Sequence, residues 1–140
     1  MKIRNIVGLL LVQFAICTFV FAAENVEEAI KSVVVTNMEA CQKEDTSGMM
    51  DTIHSQSMGY LETKQAMQPI FENFDLKYTM LSYKFIIQDG EYAIARVRQR
   101  TEKVSGPAFQ NNELDMIQIF KKEGNAWKYW SQAILEVNYI

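Results

Sequence analysis

Between residues 25 and 43 the apolar positions fall at Val26, Ala29, Ile30, Val33, Val34, Met38 and Cys41, close to the helical repeat. This spacing predicts an amphipathic helix. Glu27 and Glu28 stand near its start, where the positive end of the helix dipole favours acidic groups. Asp45, Thr46 or Ser47 then caps a short second helix, "GMMDTIHS". "QSMGYLET" reads as a link with extended character. Thr63 is placed to cap a third helix, "KQAMQPIFENFD", with Ala66, Met67, Ile70, Phe71 and Phe74 on one side. Pro69 falls inside that pattern and predicts a kink or a later start.

After Leu76 the period changes. "KYTMLSYKFIIQ" is β-branched and aromatic, "DG" at 89–90 is a hairpin signal, and an alternating strand, "YAIARVRQRT", follows. "SGPAFQN" makes a longer loop, "ELDMIQIFKK" a third strand, "EGN" a turn and "AWKYWSQAILEV" a fourth strand. Helices followed by a run of antiparallel strands mean an α+β fold. Its helices pack on one face of a bent, mostly antiparallel sheet.

Strand alternation then sorts the side chains. A two-residue "DG" loop sets Gln88 opposite Glu91, Phe85 opposite Ile94 and Tyr83 opposite Arg96. The second hairpin is expected in a register that shares one face between the arginines and Glu113 and Asp115, because opposite charges across strands attract. On this reading the outer face carries Leu81, Tyr83, Phe85, Ile94, Arg96, Arg98, Arg100, Ile117 and Ile119, with Trp127 and Tyr129 beside them. The inner face carries Ala93, Ala95, Val97, Gln99, Met116, Gln118, Phe120, Trp130, Gln132 and Ile134. An apolar inner face with uncharged amides suits a small-molecule cavity. A mixed aromatic, aliphatic and arginine outer face suits a dimer interface through Tyr83, Phe85, Arg96, Arg98, Ile117 and Tyr129. The alternative is a solvated face with internal Arg–Glu pairs.

Composition narrows the class. The chain has 140 residues, enough for one core, and a formal charge of -3, which lends no support to nucleic-acid binding. Lys2 and Arg4, the uncharged run "IVGLLLVQFAICTFVF" and the exit "AAEN" have the order of a secretory signal peptide. Cleavage is expected after Ala22, with Ala23 second, leaving a single domain over 23–140 that is periplasmic or secreted and free of the membrane. A retained membrane anchor is the rival. Cleavage would remove Cys17, leave Cys41 without an internal disulfide partner and make the chain more acidic. Cys41 lies on the apolar helical stripe and is read as buried and inert.

The whole pattern resembles the nuclear transport factor 2-like superfamily, with its SnoaL-like and ketosteroid isomerase-like members. The resemblance rests on the first amphipathic helix, "DTSGMMDTIHSQSMGY", the "KQAMQPIFENF" helix, "DGEYAIARVR" and "FKKEGNAWKYWSQA". It covers about residues 24–138 by element order, without one specific motif. It implies a cystatin-like cone, a strongly curved sheet with a cavity beneath the helices, and dimerisation through the outer face.

Relatives of that kind place a carboxylate or histidine inside the cone. Here His54 and Asp115 are the only candidates for a base, and no catalytic residue is assigned. Asp115 would turn inward only if the register slipped by one residue. The ligand-binding candidates are Tyr60, Val97, Gln99, Met116, Gln118, Trp130, Gln132 and Ile134. Tyr60 either donates to a ligand carbonyl or is a satisfied core tyrosine. Gln99, Gln118 and Gln132 fall at matching positions on three strands, where buried amides need partners in each other, water or a ligand. The many methionines fill a core or line an adaptable pocket. One histidine and one mature cysteine supply no zinc site, and no cofactor is expected. The reading is an exported, non-catalytic domain that binds a small apolar molecule or serves as a scaffold, as a homodimer. An isomerase, dehydratase or cyclase using the same cavity is the alternative, and a module for a hetero-complex a third.

Overall fold

The computed structural model describes residues 25–140; the expected signal peptide lies outside them. Three helices precede four strands. Helix α1 spans Val26–Gln42, α2 Thr46–Asp51 and α3 Tyr60–Asn73. Strands β1 (Asp75–Asp89), β2 (Tyr92–Ser105), β3 (Asn112–Glu123) and β4 (Ala126–Tyr139) form one antiparallel meander in chain order. The helices cover one face of this curved, unclosed sheet, the α+β architecture expected.

Local chemistry fixes the helix ends. Asn25 accepts the Glu28 N–H at 3.4 Å, and Asp45 accepts the Gly48 N–H at 2.9 Å, so each caps a helix start. Between them α1 closes in a tight corner. Asp45 N–H reaches back to the Ala40 carbonyl and Glu44 N–H to that of Cys41, the Schellman pattern. That pattern needs a left-handed residue, and Glu44 takes it at φ 56°, without glycine's freedom. The second helix stops at Asp51, shorter than expected, because Thr52–His54 is drawn to β4. His54 N–H donates to the Tyr129 carbonyl at 2.9 Å, and Tyr129 N–H to that of Thr52 at 2.8 Å. The third helix starts at Tyr60, ahead of Thr63, and carries Pro69 inside it. Asn73 Nδ2 donates to the Pro69 carbonyl at 2.7 Å near its end.

The sheet owes its bend to extra residues. The first hairpin turns on Gly90 and Glu91, with Asp89 opposite Tyr92 and Gly90 at φ 56°. Register shifts interrupt β1–β2 between Phe85 and Ile87 and again between Met80 and Ser82. Two more interrupt β3–β4, at Ile119/Phe120 and Asp115/Met116. Each inserts a residue on an outer strand, bends it and increases the local twist. The central pair β2–β3 runs unbroken from Tyr92 opposite Lys121 to Thr101 opposite Asn112.

Burial is strongest at one end of the sheet. Ile30 and Val34 of α1 pack on Ala93, Ala95, Val97, Phe120 and Trp127, a cluster with almost no solvent exposure. The alanines let the helix approach the sheet closely, while Phe120 and Trp127 fill the flank. A second cluster, Ala40, Met49, Met50 and Ile53, joins α1 to α2 and receives Met67 and Phe71 from α3.

Candidate functional site

Along the inner face of β2 the residues change from Ala95 and Val97 to Gln99 and Thr101. Along β3 they change from Phe120 to Gln118, Met116 and Leu114. The apolar halves are sealed in the core, and the later halves line a pocket of about 690 Å³ between the helices and the sheet. Helix α1 supplies Asn37, Met38 and Cys41, α3 supplies Thr63, Met67 and Ile70, and Phe109 comes from the β2–β3 loop. That loop is held where Phe109 meets Phe74 edge-on, 5.9 Å between ring centres.

Among the lining residues there is no Asp, Glu, His, Lys or Arg. Those that titrate are Cys41, Tyr78 and Tyr129, and burial disfavours the charged form of each. The Cys41 thiol is pushed up to about 11 and the Tyr78 phenol to about 12. Tyr129 is pushed higher still, chiefly by burial. Its hydroxyl donates to Gln118 Oε1 at 3.3 Å. Gln99 Nε2 donates to Thr101 Oγ1 at 3.3 Å, and Asn37 Nδ2 to Thr52 Oγ1 at 2.7 Å.

Five ligand-binding candidates line this pocket: Gln99, Met116, Gln118, Trp130 and Gln132. Three do not. Val97 is fully buried in the core against α1. Tyr60 belongs to the first turn of α3 and packs on the α1–α2 cluster. Ile134, though opposite Met116, is 53% exposed. Sequence reading missed Cys41, Tyr78 and Tyr129 as lining residues. The helical stripe pointed at the first, the register counted from the turn already sets Tyr78 opposite Thr101, and taking "EGN" as the turn in place of Gly124 and Asn125 hid Tyr129.

Arg96 and Arg98 lie on the outer face, as parity required. Arg96 holds Asp115 through two bonds of 2.8 and 2.6 Å, and Arg98 and Arg100 both reach Glu113. Ile117 stands opposite Arg96 on the same face. The Arg96 guanidinium holds the Asp115 carboxyl below the usual carboxylate range, so Asp115 is an ion-pair partner remote from the pocket. Tyr83, Phe85 and Tyr129, expected outside, point inward instead. The bulge at Ile86 sets Phe85 opposite Ala95 and Tyr83 opposite Val97, both core residues. Tyr83 packs on the core and donates to the Glu27 carbonyl on α1 at 3.1 Å. Tyr129 pairs with Phe120, and the bulge residue after it, Trp130, also lines the pocket. Trp127 is likewise buried in the core.

His54 is buried but outside the lining. Its Nδ1 accepts the Gln56 N–H at 3.1 Å, and its ring meets Trp130 edge-on at 5.0 Å. An Nδ1 used as acceptor there does not donate to Glu123, 3.5 Å away. Glu123 is instead held by Lys128 at 2.6 Å and by the Ser55 N–H at 2.9 Å. These bonds lower its carboxyl to about 2.

Solved structures with this architecture are numerous. An NTF2-like protein from Cytophaga hutchinsonii aligns over 83% of this chain and 99% of its own at 13% identity, with a TM-score of 0.68. A candidate aromatic ring hydroxylase from Novosphingobium aromaticivorans aligns over 81% and 92% at 11% identity, TM-score 0.67. A candidate dehydratase of the NTF2-like family from Streptomyces avermitilis aligns over 76% and 92% at 14% identity, TM-score 0.64. At such identities the likeness shows the fold alone: an NTF2-like cone. No curated protein matches the sequence significantly. A family model, described as the anti-sigma-I factor RsgI9, C-terminal domain, matches residues 32–140. The chain belongs to that family, built on an NTF2-like fold whose pocket here is walled by neutral side chains.

Proposed function

We propose that this is an exported, non-catalytic binding domain that holds a small, mainly apolar molecule between its helices and sheet. The observation that carries the reading is a pocket of about 690 Å³ without an acid or a base in its lining. Its size falls among small-molecule sites, about 300–1,000 Å³, and its wall has the expected make-up, apolar with a few placed polar groups. An isomerase or dehydratase needs a proton-transferring group within hydrogen-bond reach of the substrate. Asp115 is tied to Arg96 on the other face, and His54 lies behind Trp130. In a family named for the C-terminal domain of an anti-sigma-I factor, such a domain has a use as the ligand-sensing part of a regulator.

The domain works, on this reading, as a homodimer through the outer face. Arg96, Arg98 and Arg100 on β2 stand beside Glu113 and Asp115 on β3, and Ile94, Ile117 and Ile119 lie among them. Two copies related by a twofold axis can set one copy's arginines over the other's carboxylates. Native mass spectrometry of the chain cut after Ala22 tests both parts. A dimer carrying, or taking up, one small molecule per subunit is expected. A monomer that takes up neither endogenous ligand nor an added neutral dye would sink the proposal.

A further inference from the structure

The pocket contains an amide of which the fold uses only the oxygen. Gln118 is only 4% exposed, lines the pocket and lies two residues from the sealed core residue Phe120 on the same face of β3. It therefore stands at the inner end. Its Oε1 accepts from Tyr129, and a phenol hydroxyl in that bond is the donor. Its Nε2 makes no hydrogen bond among the described residues and is not sealed from water, so it can reach solvent in the pocket. Its Oε1 serves the buried Tyr129 hydroxyl, which leaves Nε2 for a ligand: one that fills the pocket displaces the water there, and one without an acceptor leaves Nε2 buried and unpaired, which is costly. Met116, Met38 and Met67, flexible and apolar, line the same pocket.

We infer that the pocket selects an uncharged ligand with one hydrogen-bond-accepting oxygen, of the ketone or ester class, seated on Gln118 Nε2 with its apolar body among the methionines. The inference rests on the binding reading above and specifies its ligand class. A carboxylate of the same length is disfavoured, because the lining provides no cation to replace its lost hydration. A plain alkane fits the wall but leaves Gln118 unpaired. Tyr129 is a positioning residue: it holds the amide the right way round.

The test uses Nile red, a neutral dye with a carbonyl, as fluorescent reporter on the chain cut after Ala22. Methyl dodecanoate, dodecanoate and dodecane compete for it at pH 7.5, below their solubility limits. The expected order places the ester at least tenfold tighter than both the carboxylate and the alkane. Gln118→Met, which keeps the shape, brings the ester within about twofold of the alkane while dodecane binding is retained. Tyr129→Phe reduces the ester preference by a smaller factor, because the amide is freed to rotate. Folding of each variant is checked by its circular dichroism. If Gln118→Met does not fold, Gln118→Glu serves instead, and is expected to lose the ester while Nile red still binds weakly. Saturable binding of all three competitors with no ester preference, or a preference untouched by Gln118→Met, overturns the ligand class and leaves the binding reading standing. No saturable binding of Nile red or any competitor overturns both.

Discussion

Gly106 opens the β2–β3 loop at φ 114°, a backbone conformation that residues with a side chain rarely adopt. A Cβ placed there lies 2.5 Å from the Asn73 carbonyl oxygen and 3.1 Å from Phe74 Cα, both backbone atoms at the end of α3. Ordinary contact begins near 3.4 Å, so loop and helix end must separate by most of an ångström. Gly106→Ala therefore carries two costs. The conformational one is about 1–3 kcal/mol. The steric one is about 1–2 kcal/mol, since neither neighbour can swing aside as a flexible side chain would. Gly90→Ala isolates the first: Gly90 is also left-handed, at φ 56°, but a Cβ there meets nothing within 4 Å. Its cost is about 1 kcal/mol. Urea unfolding followed by tryptophan fluorescence should show Gly106→Ala less stable than wild type by about 3 kcal/mol. Thermal melts should separate the two variants by several degrees, at about 4 °C per kcal/mol for a domain of this size. Gly106→Ala should also weaken Nile red binding, because the displaced loop carries Phe109 into the pocket wall. If the two variants unfold within about 0.5 kcal/mol of each other, the seating of this loop on α3 is wrong.

Further outcomes follow from single groups. Glu44→Gly should stabilise the protein by about 0.5–1 kcal/mol, seen as a higher urea midpoint, because it relieves a left-handed glutamate at the negative end of α1. Glu123 has a carboxyl lowered from 4.5 to about 2 by Lys128 and Ser55. Its contribution is present above pH 4.5 and lost as the pH falls through 2. Solvent screening limits it to about 1 kcal/mol, and Glu123→Gln should flatten the stability profile over that window. Asp115→Asn should leave Nile red affinity within about twofold of wild type, since the Arg96 pair lies on the outer face; a tenfold loss would return Asp115 to the site. Cys41, raised from 9.0 to about 11, should react with a thiol reagent at pH 8 about a hundredfold more slowly than a free cysteine until the protein unfolds.

The helices and strands were legible because each carries one period over many residues. The central pair was legible too. Arg98 beside Asp115 and Arg100 beside Glu113 reward one register, and a single-residue slip would bury charge. What could not be read were the extra residues in β1 and β4. A bulge leaves no mark in the apolar–polar alternation beyond one repeated class, and "KFII" and "WKYW" allow several placements. Parity counted from the turn therefore put Tyr83 and Phe85 on the wrong side, and reading "EGN" as the turn, where Gly124 and Asn125 alone make it, did the same to Tyr129. The bulge at Trp130 sets that ring beside Tyr129 on the inner face, where the Tyr129 hydroxyl meets Gln118. The start of α3 was also hidden, because Gly59 caps it with no side-chain bond. Tyr60 was thus read as part of an extended link.

The neutrality of the pocket follows from this division of the sheet. Charges cross-paired on β2 and β3 can all stay at the outer surface, where about half of each Arg96 and Arg98 side chain remains in water. The inner face is then free to hold amides, thioethers and phenols, whose burial needs hydrogen bonds rather than counter-ions. Burial raises the groups there that titrate, Cys41 to about 11 and Tyr78 to about 12. The wall thus carries no charge below about pH 10. Between pH 5 and 9 the lining itself therefore changes no charge, and occupancy should follow the ionisation of the ligand. For a neutral ester it should not change, whereas a carboxylic acid should bind better as the pH drops toward its own pKa and it enters uncharged. A site that kept a buried cation for the ligand would behave in the opposite sense, holding the carboxylate most tightly once it is ionised.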